Sequence, residues 1–336
     1  MLTGAPAADP PNAMNEFELI RQFFQREQVE QPQAGVMLGI GDDCALLQPP
    51  AGQQLAVSVD TLVADVHFPA DADPEQIAER ALRVNLSDLA AMGADPLWFT
   101  LALTLPAVDE DWLRGFSRGL FRVARAFNCA LVGGDTTAGP LSITLQVMGA
   151  VTPHLALRRD GASAGDYVVV TNYLGDGAAA LAVIQQRLQL EPVHEAYLRE
   201  RFYHPRPRLE EARLLRGLAS AALDISDGLV ADLGHLCAAS DLAAVIDVES
   251  LPLSPALQAL DDLDQARRWA LTGGDDYELC FTLPPEKMPE LAMLIAEGRL
   301  QASVVGELVP GRGVTCELQG EPYELTQQGY QHFSHE

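Results

Sequence analysis

Lysine is nearly absent from the chain: among 22 basic residues, only Lys287 is a lysine. A Walker A loop, a pyridoxal Schiff base and the ion pair of a protein kinase each need a lysine in a set context. The stretch Pro-Glu-Lys-Met-Pro provides none of these, so all three are excluded. Positive charge as a whole is scarce, with 22 basic against 47 acidic residues and a net charge of −25. Such a surface repels nucleic-acid phosphates and anionic membrane leaflets, so neither is an expected partner. A polyanion could bind only through cations. No apolar run approaches the roughly 18 residues of a membrane span. The five cysteines, at 44, 129, 237, 280 and 316, form an odd set without a C-x-x-C pair, which argues against a zinc site and a disulfide framework and for reduced thiols in a cytoplasmic protein. Residues 1–13 lack the basic and apolar regions of a secretory signal and read as a disordered leader, with folded sequence expected from Met14.

What is present is a globular composition. Hydrophobic residues make up 48% and charged residues 21% of 336 positions, a length that suggests about two domains. The pattern predicts a first helix from Glu16 to Phe24, a Gly-Ile-Gly-Asp-Asp turn between short strands within 35–48, and a strand from Leu55 to Leu62. A helix over 73–93 follows, with Asp73 as N-cap, Pro74 at the first position, Gln76 closing a capping box and Gly93 as the stop. A second helix is expected over 109–128, then a strand over 130–132, a Gly-Gly-Asp turn, and a strand over 141–151. A composition shift at 152–165 marks the expected boundary between a domain at 14–152 and one at 153–336. The second half again mixes strands and helices and is expected to close with a hairpin over 306–325. Local echoes join the halves: Asn85-Leu-Ser-Asp resembles Asp224-Ile-Ser-Asp, and Gly-Gly-Asp occurs at 133–135 and 273–275.

Several familiar patterns fail on context. Gly115-Phe-Ser-Arg-Gly119 matches a hydrolase nucleophile elbow, but apolar residues recur at helical spacing straight through it. Gly175-x-Gly177-x-x-Ala180 follows a strand and opens a helix, yet no second strand ending in an acid follows. It reads either as a phosphate-facing helix N-terminus or as a plain tight turn. The stretch from Asp224 to His235 lacks the glycine and glutamate positions of a calcium loop. His67 has no second histidine at metal spacing, so zinc is not expected.

The aspartates carry more chemistry. On a helical wheel Asp88 falls among Ile77, Ala81, Val84 and Met92, while Glu79, Arg80, Arg83 and Ser87 take the other side, so Asp88 points inward. A buried carboxylate must be protonated, paired or bound to a cation. Asp42 and Asp43 sit in a glycine turn, and Asp60 ends an apolar run. Asp135, Asp275 and Asp276 follow glycine pairs, and Asp224 and Asp227 flank a strand end. Singly each fits a solvated cap. Together they describe oxygen-ligand sites for a hard cation, with magnesium and a phosphate substrate as the natural occupants.

In order along the chain, Gly39-Ile-Gly-Asp-Asp-Cys-Ala-Leu-Leu, Ser58-Val-Asp-Thr-Leu-Val, Asn85-Leu-Ser-Asp-Leu-Ala-Ala-Met-Gly-Ala-Asp-Pro, Gly133-Gly-Asp-Thr-Thr, Asp224-Ile-Ser-Asp-Gly-Leu and Gly273-Gly-Asp-Asp-Tyr-Glu-Leu resemble the bacterial thiamine-monophosphate kinases. The resemblance runs from Met14 to the C-terminus. It implies an α/β (α+β) two-domain fold like that of aminoimidazole ribonucleotide synthetase, with an N-terminal mixed-sheet domain that binds ATP and magnesium and forms a homodimer interface, plus a C-terminal α/β domain. It implies magnesium ligands at Asp43, Ser58, Asp60, Asp88, Asp135, Asp224 and Asp227, ATP contacts at Gly134, Asp135, Arg159 and Ser226, and substrate contacts at His67, Asp275 and Gln327. Val59 stands where the family often has threonine, Asp275 where glutamate is common, and Gln327 where an aromatic often stacks on the substrate. The implied reaction is in-line transfer from ATP to thiamine monophosphate, assisted by several magnesium ions and needing no general base. Competing expectations are a sister ATP-using enzyme of the same fold, such as aminoimidazole ribonucleotide synthetase or selenophosphate synthetase, and a non-catalytic acidic metal-binding protein. The selenophosphate reading needs a lysine near a reactive N-terminal cysteine, and no lysine precedes 287. A hydrogenase-maturation relative is expected to end in a cysteine tail, whereas this sequence ends Ser-His-Glu.

Overall fold

The computed structural model describes residues 15–25, 34–325 and 329; the leader expected over 1–13 lies outside them. A short helix, Glu16–Ile20, is closed by a reciprocal box between Asn15 and Glu18 and continues as a π turn, Arg21–Gln25, that buries Phe23 and Phe24. A small antiparallel pair, Val36–Leu38 with Leu46–Leu47, flanks the Gly-Ile-Gly-Asp-Asp turn.

The first sheet has four strands in the order Gln54–Val63, Ser142–Val151, Asp95–Leu105, Ala130–Ala138. Its last pair is parallel and the others antiparallel. A parallel pair needs a crossover, supplied here by helix Glu110–Ala126. The Gly-Gly-Asp at 133–135 is not the expected turn: Ala130–Ala138 runs through it as one strand, with a register shift opposite Phe99 and Thr100. The elbow-like Gly115–Gly119 stretch lies inside the crossover helix with Ser117 buried.

Helix Pro74–Ala91 sits between the two halves of the molecule. Asp73 caps it by accepting from the Glu75 N–H at 2.8 Å, with Pro74 at the first position, and Gly93 at φ +63° ends it. The reciprocal box through Gln76 is not formed, since Asp73 bonds Glu75 instead. The expectation that Glu79, Arg80, Arg83 and Ser87 face away from the core is also corrected, because Glu79, Arg80 and Ser87 are buried. Helices Leu209–Leu215 and Pro192–Tyr203 of the second half cover that side.

The second sheet has seven strands in the order Glu321–Pro322, Gly313–Leu318, Ala243–Asp247, Ala302–Val309, Tyr167–Thr171, Glu278–Leu283, Ala221–Ile225. The expected closing hairpin forms only in its last part: Gly313–Leu318 pairs antiparallel with Glu321–Pro322, but Ala302–Val309 is not its neighbour. Strand Ala243–Asp247 inserts between Ala302–Val309 and Gly313–Leu318, antiparallel to the first and parallel to the second. The period-2 alternation of a strand divides this sheet's side chains between two cores. Val169, Ala222, Leu279 and Phe281 join the helix Pro74–Ala91 core, while Val168, Val170, Leu223, Ile225 and Cys280 join one beneath helix Leu229–Ser240. All five cysteines are free, and only Cys44 is exposed. Among the described residues no helix is long and apolar enough to cross a membrane.

Candidate functional site

Where helix Pro74–Ala91 meets the edge of each sheet, a cleft of about 380 Å³ opens between the halves. Asp60 reaches it from the edge strand of the first sheet and Asp88 from the last turns of the helix. Asp224, Ser226 and Asp227 reach it from the end of strand Ala221–Ile225. The carboxylates are held from behind. Ser58 Oγ donates to Asp88 at 2.5 Å, Ser87 Oγ donates to Asp224 at 2.7 Å, and the Asp60 N–H donates to Asn85 Oδ1 at 3.2 Å. Burial and the neighbouring Asp88 push the carboxyl of Asp60 up to about 6 and that of Asp224 to about 7. Desolvation raises Asp88 as well, against the Ser58 hydrogen bond and the positive charge of Arg159.

Two helices begin beside the cleft, and amides at the start of each donate to the protein's own carboxylates. The amides of Gly175 and Gly177, which open helix Asp176–Ile184, donate to the buried Asp276 carboxylate at 2.7 and 3.0 Å. Those of Ser226, Asp227 and Gly228, which precede helix Leu229–Ser240, donate to Asp232 at 3.0, 3.0 and 3.1 Å. The anion at each helix end is therefore the protein's own carboxylate. This settles the Gly175-x-Gly177 motif as an internally satisfied turn. Gly177 is required there for packing: a Cβ would lie 2.5 Å from the Gly274 oxygen.

The rest of the cleft lining is different in kind. Leu62, Val66, Val84 and Leu181 give it an apolar wall, with His67, Asp275 and Tyr277 as its polar groups. The Val63 N–H donates to His67 Nδ1 at 3.0 Å, which places the proton of the neutral ring on Nε2. Asp275 accepts from Arg80 Nη2 at 2.7 Å and from the Tyr277 hydroxyl at 3.0 Å.

The remaining expected ligands lie elsewhere. Asp43, Gly134 and Asp135 line a second cavity of about 840 Å³, together with Phe17, Phe24 and Thr100. Gly134 is needed for close approach, since a Cβ would stand 1.9 Å from the Leu101 oxygen. Asp60 and Asp135 occupy opposite edges of the four-stranded sheet, separated by three strand spacings or about 14 Å. The structure thus divides the expected ligands into two groups within one copy. Arg159 is exposed near the first, close enough for its charge to act on Asp88. Gln327 lies outside the described residues.

The donors at the first cleft fit a hard cation: carboxylate and hydroxyl oxygens and crowded like charges. Among the described residues, however, no three Asp, Glu, His or Cys side chains form a group that could hold a metal by themselves. That suits magnesium, which is commonly held by one or two carboxylates, with water and substrate phosphates completing its octahedron.

Comparison with known proteins adds the decisive observation. Residues 41–151 match the family model for the AIR synthase related protein, N-terminal domain, and residues 163–319 match the C-terminal domain. The thiamine-monophosphate kinase of Escherichia coli strain K12 is 49% identical over 324 residues, 96% of this chain and 99% of the relative. The chain belongs to the thiamine-monophosphate kinase family.

Solved structures of the family agree in fold. The crystal structure of thiamine-monophosphate kinase from Stenotrophomonas maltophilia K279a matches with a TM-score of 0.82 at 46% identity, covering 92% of this chain and 98% of that one. A structure described as AaThiL complexed with AMPPCP and TMP matches with a TM-score of 0.75 at 29% identity, covering 95% and 97%. Measured against this kinase fold, the sequence reading missed Arg80, Ser87, Asp232 and Tyr277 around the cleft, and it placed Asp276 among oxygen ligands for a cation, whereas Asp276 accepts from the Gly175 and Gly177 amides. Tyr277 carried a signal, since it follows Asp275 and Asp276 in Gly-Gly-Asp-Asp-Tyr. Arg80 and Ser87 carried none, because their places on a helical wheel looked solvent-facing.

Proposed function

We propose that the protein transfers the γ-phosphoryl group of ATP to thiamine monophosphate, giving thiamine diphosphate and ADP by direct in-line displacement. The observation that carries this reading, in a chain of this family, is the mixed lining of one cleft. It brings Asp60, Asp88, Asp224 and Asp227, without a lysine, together with an apolar wall, His67 and Asp275. A phosphorylated heterocycle has matching halves.

The attacking oxygen belongs to a phosphate monoester whose second pKa is roughly 6, so it is largely ionised near neutral pH and needs no general base. The problem for catalysis is repulsion between two polyanions inside an acidic protein. Asp60, Asp88, Asp224 and Asp227, with Ser58 and Ser226, are the residues that would hold magnesium at the transfer point, and Asp43 and Asp135 those that would hold it on the nucleotide side. Magnesium, when bound, neutralises and aligns the phosphates. Gly134, in the second cavity, lies beside Asp135 on the nucleotide side, and Arg159 adds positive charge beside Asp88. His67 and Asp275 orient the organic half of the acceptor; Gln327, the third expected contact, lies outside the described residues.

We further infer a homodimer. Leu55, Val57 and Val59 project from the sheet face opposite the helices and are 45%, 51% and 58% exposed, on an edge strand ten residues long. A long, apolar, nearly uncharged edge is an aggregation hazard unless covered, and a second copy covers it. When two such sheets meet about a two-fold axis, the Asp60 edge of one copy can lie beside the Asp135 edge of the other, which joins the two groups of ligands. The test of function is direct: incubate the protein with ATP, magnesium and either thiamine monophosphate or free thiamine. Thiamine diphosphate from the monophosphate alone is expected, and no product from it overturns the reading.

A further inference from the structure

Arg80 is the one arginine lining the aspartate cleft, and a phosphate ligand would be the obvious assignment for it. Its donors point elsewhere. Nη2 donates to Asp275 Oδ1 at 2.7 Å, Nη1 to the Phe202 carbonyl at 2.7 Å, and Nε to the His67 carbonyl at 3.3 Å. The guanidinium lies 4.0 Å over the Phe202 ring and is 2% exposed. One planar cation therefore ties together three distant segments: the loop that carries His67, the C-terminal end of helix Pro192–Tyr203, and the turn that carries Asp275.

That turn does not hold its shape by local preference. Asp275 and Tyr277 both have left-handed backbones, at φ +70° and +52°, a conformation that costs a non-glycine residue, tyrosine above all. Contacts from outside hold it. Besides Arg80, the Tyr277 hydroxyl donates to the same Asp275 oxygen, Oδ1, at 3.0 Å. Oδ2 receives no hydrogen bond from a described residue, so one oxygen is fixed and the other is left to accept from a ligand.

We propose that Arg80 is a positioning residue for recognition of the acceptor: with Tyr277 it fixes Asp275 Oδ1, so that Oδ2 is presented to an N–H donor on the acceptor's organic half. This inference rests on the function proposed above. Lysine cannot replace the guanidinium, because an ammonium does not reproduce a planar fork reaching three acceptors.

The test combines kinetics and crystallography on the full-length Arg80→Lys and Tyr277→Phe variants, with melting curves to show that each is folded. Arg80→Lys is expected to raise the KM for thiamine monophosphate about tenfold while the KM for ATP stays within about twofold. Tyr277→Phe, the milder change, is expected to raise only the KM for thiamine monophosphate, by about threefold. In an Asp275→Asn background, Arg80→Lys should add less than about twofold, because both act through one oxygen. Folded variants with an unchanged acceptor KM, or with both KM values raised equally, overturn the proposal and leave the kinase function standing. If the unaltered protein shows no turnover, the function fails instead. A crystal structure of Arg80→Lys then decides the positioning role, which an unmoved Asp275 carboxylate overturns and a displaced one supports.

Discussion

The Ser87 hydroxyl donates to the Asp224 carboxylate at 2.7 Å, and this bond crosses from helix Pro74–Ala91 to strand Ala221–Ile225. Both residues are buried. Removing one partner of a buried pair leaves the other unsatisfied, which costs about 1–3 kcal/mol. Ser87→Ala is therefore expected to lower the unfolding free energy by about that amount in a denaturant titration, with an unchanged m-value. It should also raise the magnesium concentration needed for half-maximal turnover, since Asp224 loses the donor that fixes its rotamer.

Asp276 offers a second test, by rescue. Its carboxylate occupies the amides of Gly175 and Gly177. Asp276→Ala empties an anion site at the end of a nine-residue helix, Asp176–Ile184. The variant is expected to be less stable by about 1–3 kcal/mol, and formate should raise its melting temperature more than that of the unaltered protein. Equal shifts in the two proteins would show that the amides do not depend on the carboxylate.

At Asp88 the opposite balance between stability and activity is expected. Its carboxyl is crowded by Asp60 and desolvated, with the Ser58 hydroxyl as its hydrogen-bond donor. A carboxylate in such surroundings is costly to the fold and useful only when a cation is bound. Asp88→Asn is expected to cut turnover at saturating magnesium by about 100-fold or more while leaving the melting temperature unchanged or higher. Equal turnover would remove Asp88 from the site.

Chelation should separate folding from activity. Where metal binding is part of folding, removing the metal unfolds the chain. Here the cores are hydrophobic, and the described residues contain no metal cage. Excess EDTA is expected to abolish turnover while leaving far-ultraviolet circular dichroism and the melting temperature of the nucleotide-free protein unchanged. Added magnesium should restore full activity.

Much of this site was readable in the sequence because aspartate is out of place at the end of an apolar strand. Asp60, Asp224 and Asp227 were found in that way and Asp88 from the apolar arc of its helix, and all four line one cleft. Other features depend on partners distant in the chain. The anion for the Gly175–Gly177 turn comes from Asp276, about a hundred residues on, so the local motif could not distinguish a phosphate site from a satisfied turn. Arg80 and Ser87 were misplaced because a helical wheel assumes one buried side, whereas helix Pro74–Ala91 is covered on one side by the first sheet and on the other by the second half of the chain. The first part of the closing hairpin failed for a related reason: Ala243–Asp247, from sixty residues earlier, takes the place between Ala302–Val309 and Gly313–Leu318. Local pattern gave the elements; sheet order, which places Asp60 and Asp135 on opposite edges, is a property of the whole chain.

That separation leads to the last prediction. If each site uses Asp88 from one copy and Asp135 from its partner, the Asp88→Asn and Asp135→Asn variants are each inactive alone, since every site in either homodimer lacks one carboxylate. Mixing them under conditions that exchange subunits yields heterodimers with two unlike sites. One site carries both substitutions, and the other carries neither. Activity is therefore expected to reappear on mixing and to approach about a quarter of the unaltered value, because half of the dimers form at random as heterodimers with one intact site each. If both aspartates of a site belong to the same copy, every site in the mixture still lacks one of them, and mixing restores nothing. Val57→Asp supplies the control. A charge on the apolar sheet face should favour monomers in sedimentation, and in that background the two variants should fail to complement, because no site can then draw on a partner.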